Sequence, residues 1–229
     1  MFKKKSIAIL CTLSLLAMLP SLSFAKEDYS ESLKLLGAED QEVVVNIAEE
    51  AQGMVTKEQI EQIVEQAGDA KSITIHKVGK NTDDKIKPMY LSDVVKRVES
   101  SNNPTAAVQI ISVPKGKTIK LTTTQAKKVN SSARVKASVS VGNGPASVGE
   151  EVESTLTTEI STTYTTEETW TGPAESSSYV SRIYYWTGFY DRGTWKVDEI
   201  NWLTGKVTNT YTGSYTEPTH YIEWSRDFK

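Results

Sequence analysis

The chain has 229 residues and a formal net charge of −3, and the part after residue 25 is long enough for one hydrophobic core or for a core with a small appendage. Its one cysteine, Cys11, lies in an N-terminal apolar run. A mature chain without cysteine excludes thiol catalysis and has no disulfide to hold it in an oxidising compartment.

Residues 1–25 have the three parts of a secretory signal peptide. Lys3, Lys4 and Lys5 form a positively charged start, residues 7–19 are apolar, and a small-residue site ends at Ala25. The apolar run is too short and too interrupted to span a bilayer. Cys11 lies near the start of the run, whereas attachment of a lipid would need a cysteine at its end. We therefore predict a secreted protein that is cleaved after Ala25.

Charged residues are distributed unevenly along the mature chain. Residues 26–70 hold 3 basic and 12 acidic residues, residues 71–136 hold 14 and 4, and residues 137–229 hold 6 and 13. Either the three segments pack together and neutralise one another, or the basic segment faces an anionic surface such as lipid headgroups or a wall polymer. The first interpretation is favoured because acidic partners are present in the same chain.

The acidic segment 26–70 is predicted to be helical. Residues 39–54 carry apolar side chains at helical spacing. Thr56 and Gln59 have the spacing of a capping box, and Gly68 is a suitable stop for a second helix. Two short amphipathic helices of this kind would form a small appendage.

The basic segment 71–136 predicts strands with one helix among them. Alternation of apolar and polar residues indicates strands over 72–78, 107–113 and 117–124, with a turn at Lys115 and Gly116. Residues 90–98 favour a short helix. From residue 134 to 141 the alternation resumes, which predicts a further strand.

Residues 152–170 are predicted to form one long strand, or a strand with one bend. Val152, Leu156, Ile160, Tyr164 and Trp170 all occupy even positions, and the odd positions are polar. Eight of these nineteen residues are Thr, which would cost a helix roughly 3–5 kcal/mol relative to Ala and which suits a pleated strand. The even side would then be buried and the odd side hydrated.

The last segment, residues 179–229, predicts antiparallel strands joined by turns. Strands are expected over 179–190, 194–202, 207–215 and 221–224, with a turn at residues 191–193, another at 203–205 and a break at Pro218. The predicted fold is therefore α+β: a short N-terminal helical segment over 26–70, then a mainly antiparallel β domain over 71–229, built as a sandwich or an elongated sheet. Within that domain, residues 71–136 are the basic part and residues 137–229 the part rich in aromatic, Ser and Thr residues.

Residues 134–173 resemble the central β region of the aerolysin-like pore-forming proteins, the epsilon-toxin and mosquitocidal-toxin group. The resemblance rests on an alternating strand, the Gly- and Pro-rich break at 141–145, and the Ser/Thr-rich alternation that follows. It implies an elongated β domain whose strands enter a membrane after oligomerisation. The strand-insertion candidates that it suggests are Val152, Leu156, Ile160 and Tyr164.

The aromatic strands provide the binding candidates Arg182, Tyr184, Trp186, Tyr190 and Trp195. One set of these aromatic side chains is expected in the core. The other set would stack on sugar rings of a surface glycan or lie at a membrane interface, unless both sets belong to two packed layers.

No catalytic fingerprint occurs in the sequence, and we predict no enzymatic activity, no cofactor and no metal site. His76 and His220 are expected to be ordinary strand histidines. The function expected is a secreted, surface-acting binding protein for a cell-surface glycan, lipid or protein, with pore formation and an accompanying homo-oligomer as its specific version. The alternatives are an envelope structural protein and a glycan-acting hydrolase that uses paired carboxylates. Nucleic acid is not expected as a partner, because the aromatic and basic residues lie in different segments.

Overall fold

The computed structural model describes residues 29–36, 42–80, 94–136, 145–157, 159–201 and 203–229. The predicted signal peptide lies outside these ranges. The elements in chain order are β1 (Tyr29–Leu36), β2 (Glu42–Ala48), a 3-10 turn (Glu49–Ala51), α1 (Lys57–Ala67), β3 (Ser72–Lys80), β4 (Val95–Pro104), β5 (Val108–Pro114), β6 (Thr118–Lys120), β7 (Gln125–Asn130), β8 (Ser132–Val135), α2 (Pro145–Ser154), β9 (Glu159–Tyr164), β10 (Thr169–Thr171), β11 (Ser181–Ile200) and β12 (Val207–Phe228).

A long antiparallel hairpin, β11–β12, is the centre of the fold. Its strands have 20 and 22 residues and pair along their whole length. We call the part formed by residues 181–189 and 219–228 the proximal half, and the part formed by 190–200 and 207–218 the distal half. Strands β3 and β5 flank the proximal half, and β8 and most of β4 flank the distal half.

The fold is mostly β, with a curled mixed sheet of eight strands. Its main path runs β1-β2-β3-β12-β11-β4, and β5 and β8 pair with β11 and β12 beside it. Strands β2 and β3 are parallel, whereas the other pairs are antiparallel. Two small two-stranded sheets, β6–β10 and β7–β9, accompany the large sheet. The predicted mainly antiparallel β domain is confirmed at this level.

The expected helical segment over 26–70 is not supported. Residues 29–36 form β1, and the first predicted helix, over 39–54, is replaced by β2 and the 3-10 turn that follows it. Val43, Val45 and Ile47 are buried at every second position of β2, because a run of β-branched residues suits a pleated strand. Only the second predicted helix is present, as α1, and it has the predicted capping box between Thr56 and Gln59. The predicted helix over 90–98 is also wrong where it is described, since Val95 begins strand β4.

Two predicted interruptions of the long strands are wrong. Residues 191–193 continue β11, and Gly193 serves close packing, because a Cβ there would lie 2.1 Å from the backbone oxygen of Arg97. Pro218 continues β12 at a bulge, where Tyr190 pairs with Pro218 and Phe189 with His220. Proline is tolerated there because β3 pairs only from His220 onward and β8 only up to Thr216, so neither strand needs its missing N–H.

The predicted long strand over 152–170 is wrong, because its first part is not a strand and the rest forms two separate strands, β9 and β10, in different two-stranded sheets. Residue 152 lies in helix α2, Leu156 lies in a bend, and only Ile160, Tyr164 and Trp170 lie on strands β9 and β10. The eight threonines that favoured a strand all follow residue 154, so the helix contains none of them. A spacing of four residues places side chains on one face of a helix as well as of a strand. The predicted burial of the even positions is correct for all five side chains.

Three clusters of buried side chains stabilise the hairpin. On one face of the proximal half, α1, β2 and β3 pack against Phe189, Ile222 and Trp224. On its other face, side chains of β5, β9 and β10 pack against Tyr184, Trp186 and Tyr221. In the distal half a single cluster joins α2 to four buried residues of the hairpin, Trp195, Val197, Tyr211 and Tyr215.

Candidate anion-binding face

The surface of the distal half that points away from α2 carries polar side chains in register across four strands. The strand order there is β4-β11-β12-β8. One row across these strands consists of Arg97, Thr194, Ser214 and Arg134. The next row consists of Val95, Lys196, Thr212 and Lys136. All eight side chains are exposed, and we call this surface the open face.

The spacing of the rows follows from sheet geometry. Three strand spacings of about 4.8 Å put the outer strands about 14 Å apart, and successive rows are about 7 Å apart along the strands. Each row therefore has a basic residue at one or both edges and at least one hydroxyl group in its centre, where the second row also carries Lys196. The curled sheet and the long side chains of these rows enclose a groove of about 570 Å³.

Basic side chains predominate on the open face. A third row adds Arg192, which donates a hydrogen bond of 2.7 Å to the Tyr190 hydroxyl and packs over that ring at 5.2 Å. Among the described residues this face carries five basic side chains and two acidic ones, Glu99 and Asp198, which gives a local charge of +3. The protein as a whole is acidic, so positive charge is concentrated on this surface.

Four of the five cations, Arg192 among them, have no acidic partner among the described residues. Lys196 lies 3.4 Å from Asp198, and a hydrogen bond from Thr210, together with Lys196, holds the pKa of that carboxyl below its usual value. Within the ranges that the structure describes, Arg97, Arg134 and Lys136 make no ion pair. By contrast Lys96, which is next to Arg97 but points to the helix side, pairs with Glu217.

Helix α2 packs against the back of the sheet that carries the open face. Trp195 is buried between the hairpin and α2, and its indole N–H donates to the backbone oxygen of Ser214 at 3.2 Å. Gly213 lies opposite Trp195, and a Cβ at this position would lie 2.5 Å from the indole and 2.0 Å from the backbone oxygen of Arg134. Glycine here permits both the indole and strand β8 to approach β12.

Four of the five binding candidates predicted from the sequence are buried. Arg182 makes a bidentate ion pair with Asp227, with distances of 2.7 and 3.1 Å. Tyr184 donates to the backbone oxygen of Thr171, Trp186 stacks on Tyr221, and Trp195 lies in the distal cluster.

Tyr190 is the exception, because it is half-exposed beside Arg192 on the open face. The aromatic strands therefore supply two packed layers, one of the two alternatives that the sequence left open.

The four strand-insertion candidates are buried in two different places. Val152 and Leu156 pack in the distal cluster. Ile160 and Tyr164 pack in the proximal cluster that contains Tyr184 and Trp186. Pore formation stays a prediction, and it requires all four side chains to leave these positions. None of the helices in the described part of the chain has the length and apolarity needed to cross a bilayer.

His220 lies in the proximal half, and His76 lies on β3, which flanks it. His76 bonds to Ser225 at 2.8 Å, and burial, with a smaller contribution from Arg182, lowers its pKa to about 3. His220 contacts Gln59 and Thr219, and burial, with a smaller contribution from Lys80, lowers its pKa to about 4. No group of three His, Asp or Glu side chains suited to a metal ion occurs among the residues described.

Comparison of the chain with family models, with curated proteins and with solved structures returned no match. The sequence analysis did not single out Arg97, Arg134 or Lys136. Its one signal for them was the basic segment 71–136, to which all three belong. Of the two interpretations of that segment, mutual neutralisation describes Lys96 and Lys128, which pair with Glu217 and Glu159.

Proposed function

We propose that this is a secreted, non-catalytic binding protein whose open face holds phosphate groups of an anionic surface. The observation that carries the proposal is the set of three cations, Arg97, Arg134 and Lys136, that share one exposed sheet face and have no acidic partner among the described residues. Secretion rests on the signal sequence over residues 1–25.

The chemistry of the two rows suits phosphate. A guanidinium presents a planar fork of donors that matches phosphate oxygens, and such charge-assisted bonds are about twice as strong as neutral ones. Thr194, Ser214 and Thr212 add hydroxyl donors between the cations. The rows are separated by about 7 Å, so neighbouring phosphates of a polymer or a lipid surface can occupy them together.

Unpaired exposed cations on a protein that is acidic overall also favour a specific orientation at an anionic surface. The acidic remainder of the chain is repelled, whereas the open face is attracted. Salt weakens such contacts because exposed charges are screened within about 10 Å at 0.1 M ionic strength.

Binding measurements with soluble polyphosphate, with phosphatidylglycerol vesicles and with phosphatidylcholine vesicles test the proposal. We expect salt-sensitive binding to at least one of the anionic ligands and none to phosphatidylcholine. The variant R97Q/R134Q should weaken that binding about tenfold or more, since each charged hydrogen bond contributes roughly 1.5–3 kcal/mol. The control K117Q/K120Q removes two exposed lysines at β6, away from the open face, and should bind like the wild type.

Equal affinity of R97Q/R134Q and the wild type would contradict the proposal, as would the absence of binding to every anionic ligand. In the second case the alternative of a structural envelope protein becomes the better account.

A further inference from the structure

The tip of the β11–β12 hairpin, residues 200–207, presents large apolar side chains to solvent. Ile200 is 40% exposed, Leu203 72% and Val207 55%. Ile200 and Val207 are cross-strand partners, so their side chains lie next to each other at the base of the turn. Residue 202 lies outside the described ranges. Single exposed apolar residues are normal on a protein surface, whereas three aliphatic side chains on one turn form an apolar patch.

The turn that carries Leu203 is held by a network around Asn201. The Asn201 side chain accepts hydrogen bonds from the backbone N–H groups of Leu203 and Thr204, at 3.0 and 3.1 Å. Its backbone bonds to Lys206 and Gly205, both at 2.8 Å, and Gly205 has the positive φ of 66° that this turn requires. The tip is therefore a hydrogen-bonded turn, and Leu203 is exposed on this ordered structure.

The tip projects beyond its neighbouring strands. The last residue of β11 that pairs with β4 is Lys196, and the pairing of β12 with β8 begins at Gly213. Four residues at about 3.3 Å each put Ile200 about 13 Å beyond the end of that pairing. The projecting part of the hairpin includes the outermost row of the open face, in which Asp198 pairs with Thr210. The apolar patch and the basic rows therefore lie on the same two strands, with the Asp198–Thr210 row between them.

We propose that the hairpin tip enters the interfacial region of a phospholipid bilayer while the open face contacts anionic headgroups. This inference rests on the proposed function and names its ligand as a lipid membrane. A bilayer combines the two chemistries in the required order, because anionic phosphates lie at the surface and apolar chains lie a few ångström deeper. Lys206, which is exposed beside the patch, can remain at headgroup level while its neighbours enter the apolar layer.

A fluorophore at the tip tests this directly. Cys11 is the only cysteine of the sequence, so Leu203→Cys in a Cys11→Ser background gives one site for the environment-sensitive dye NBD. Lys120→Cys in the same background is the matched control, because Lys120 is exposed on β6. On phosphatidylglycerol vesicles we expect the label at position 203 to shift to shorter wavelength and to lose at least half of its quenching by iodide. The label at position 120 should change in neither respect.

A second variant separates this inference from the proposed function. L203N/V207N should weaken binding to phosphatidylglycerol vesicles about tenfold and leave binding to soluble polyphosphate unchanged. If the protein binds these vesicles while the label at 203 stays in water, the tip inference fails and the proposed function stands. Binding to polyphosphate without binding to vesicles, as for a wall polymer, or unaltered vesicle affinity of L203N/V207N, also overturns the inference. If neither ligand binds, both proposals fail.

Discussion

The proximal and distal halves of the β11–β12 hairpin use the same two strands but differ in how many of their faces are covered. In the proximal half, Tyr184 and Trp186 occupy the even positions of β11 and lie under a second β layer. In the distal half, the even positions Thr194 and Lys196 are exposed. Odd positions pack in clusters that include a helix in both halves, as Phe189 does in the proximal half and Trp195 and Val197 do in the distal half. The even positions of β11 thus change from aromatic residues in the proximal half to hydroxyl-bearing and basic residues in the distal half. This change determines where a second layer covers the strand.

The largest contrast is expected between equivalent positions of the two halves. Trp186→Ala should lower the free energy of unfolding by about 3–5 kcal/mol, because a side chain that is 1% exposed leaves a cavity between two layers. Thr194→Ala, eight residues further along the same face, should change it by less than about 0.5 kcal/mol. Urea unfolding at pH 7 measures both values. Similar losses for the two variants would show that the distal face is covered as well.

The proximal half should also make the protein sensitive to acid. The folded state keeps His76 and His220 neutral, with pKa values of about 3 and 4, whereas an unfolded chain protonates both near pH 6.5. Between pH 6.5 and 4 the unfolded state therefore binds more protons, and stability falls as the pH falls. His220 alone should contribute a loss of roughly 3 kcal/mol over this range.

Urea midpoints at several pH values for the wild type and for H220Q test this expectation. The variant should start less stable at pH 7 and lose less stability on acidification. Parallel curves for the two proteins would assign the acid sensitivity to other groups.

A smaller effect is expected behind the open face. Val152 is fully buried where α2 covers the distal half, so Val152→Ala should cost about 2 kcal/mol for two lost methyl groups and the cavity they leave. Glu150→Ala, at an exposed position of the same helix, is the control and should be close to neutral or slightly stabilising. If Val152→Ala were neutral, α2 would not be the cover of this half.

The smallest effect on stability is expected on the open face itself. R97Q/R134Q should unfold within about 0.5 kcal/mol of the wild type, since both side chains are exposed and neither makes an ion pair within the described ranges. Thermal unfolding provides the measurement. A loss of more than 1 kcal/mol would mean that these arginines hold the sheet together, and their placement would then need no ligand.

Local patterns predicted the parts of the fold that depend on local interactions. The capping box at Thr56 and the turn at residues 203–205 are fixed by neighbours in sequence, and both are present. Strand β3 was recognisable from its alternation for the same reason. The burial of the five apolar side chains at even positions over 152–170 also followed from sequence alone.

The continuity of the long strands and the position of the candidate site depend on contacts between residues that are far apart in sequence. Pro218 and Gly193 are ordinary interruption signals, but each lies where a strand end or a close approach makes it acceptable within a continuous strand. The candidate site was missed for a related reason. Arg97, Arg134 and Lys196 are far apart in sequence, and only the register of β4, β8 and β11 in the sheet brings them onto one face.

Lysine footprinting in the presence of phosphatidylglycerol vesicles compares the open face with the surface at β6 in one experiment. An amine-reactive reagent followed by mass spectrometry reports the accessibility of Lys136 on the open face and of Lys117 and Lys120 at β6, all of which are exposed in the free protein. The account predicts that saturating vesicles lower the modification of Lys136 several-fold and leave Lys117 and Lys120 unchanged. Protection of Lys117 and Lys120 with Lys136 still reactive would contradict it.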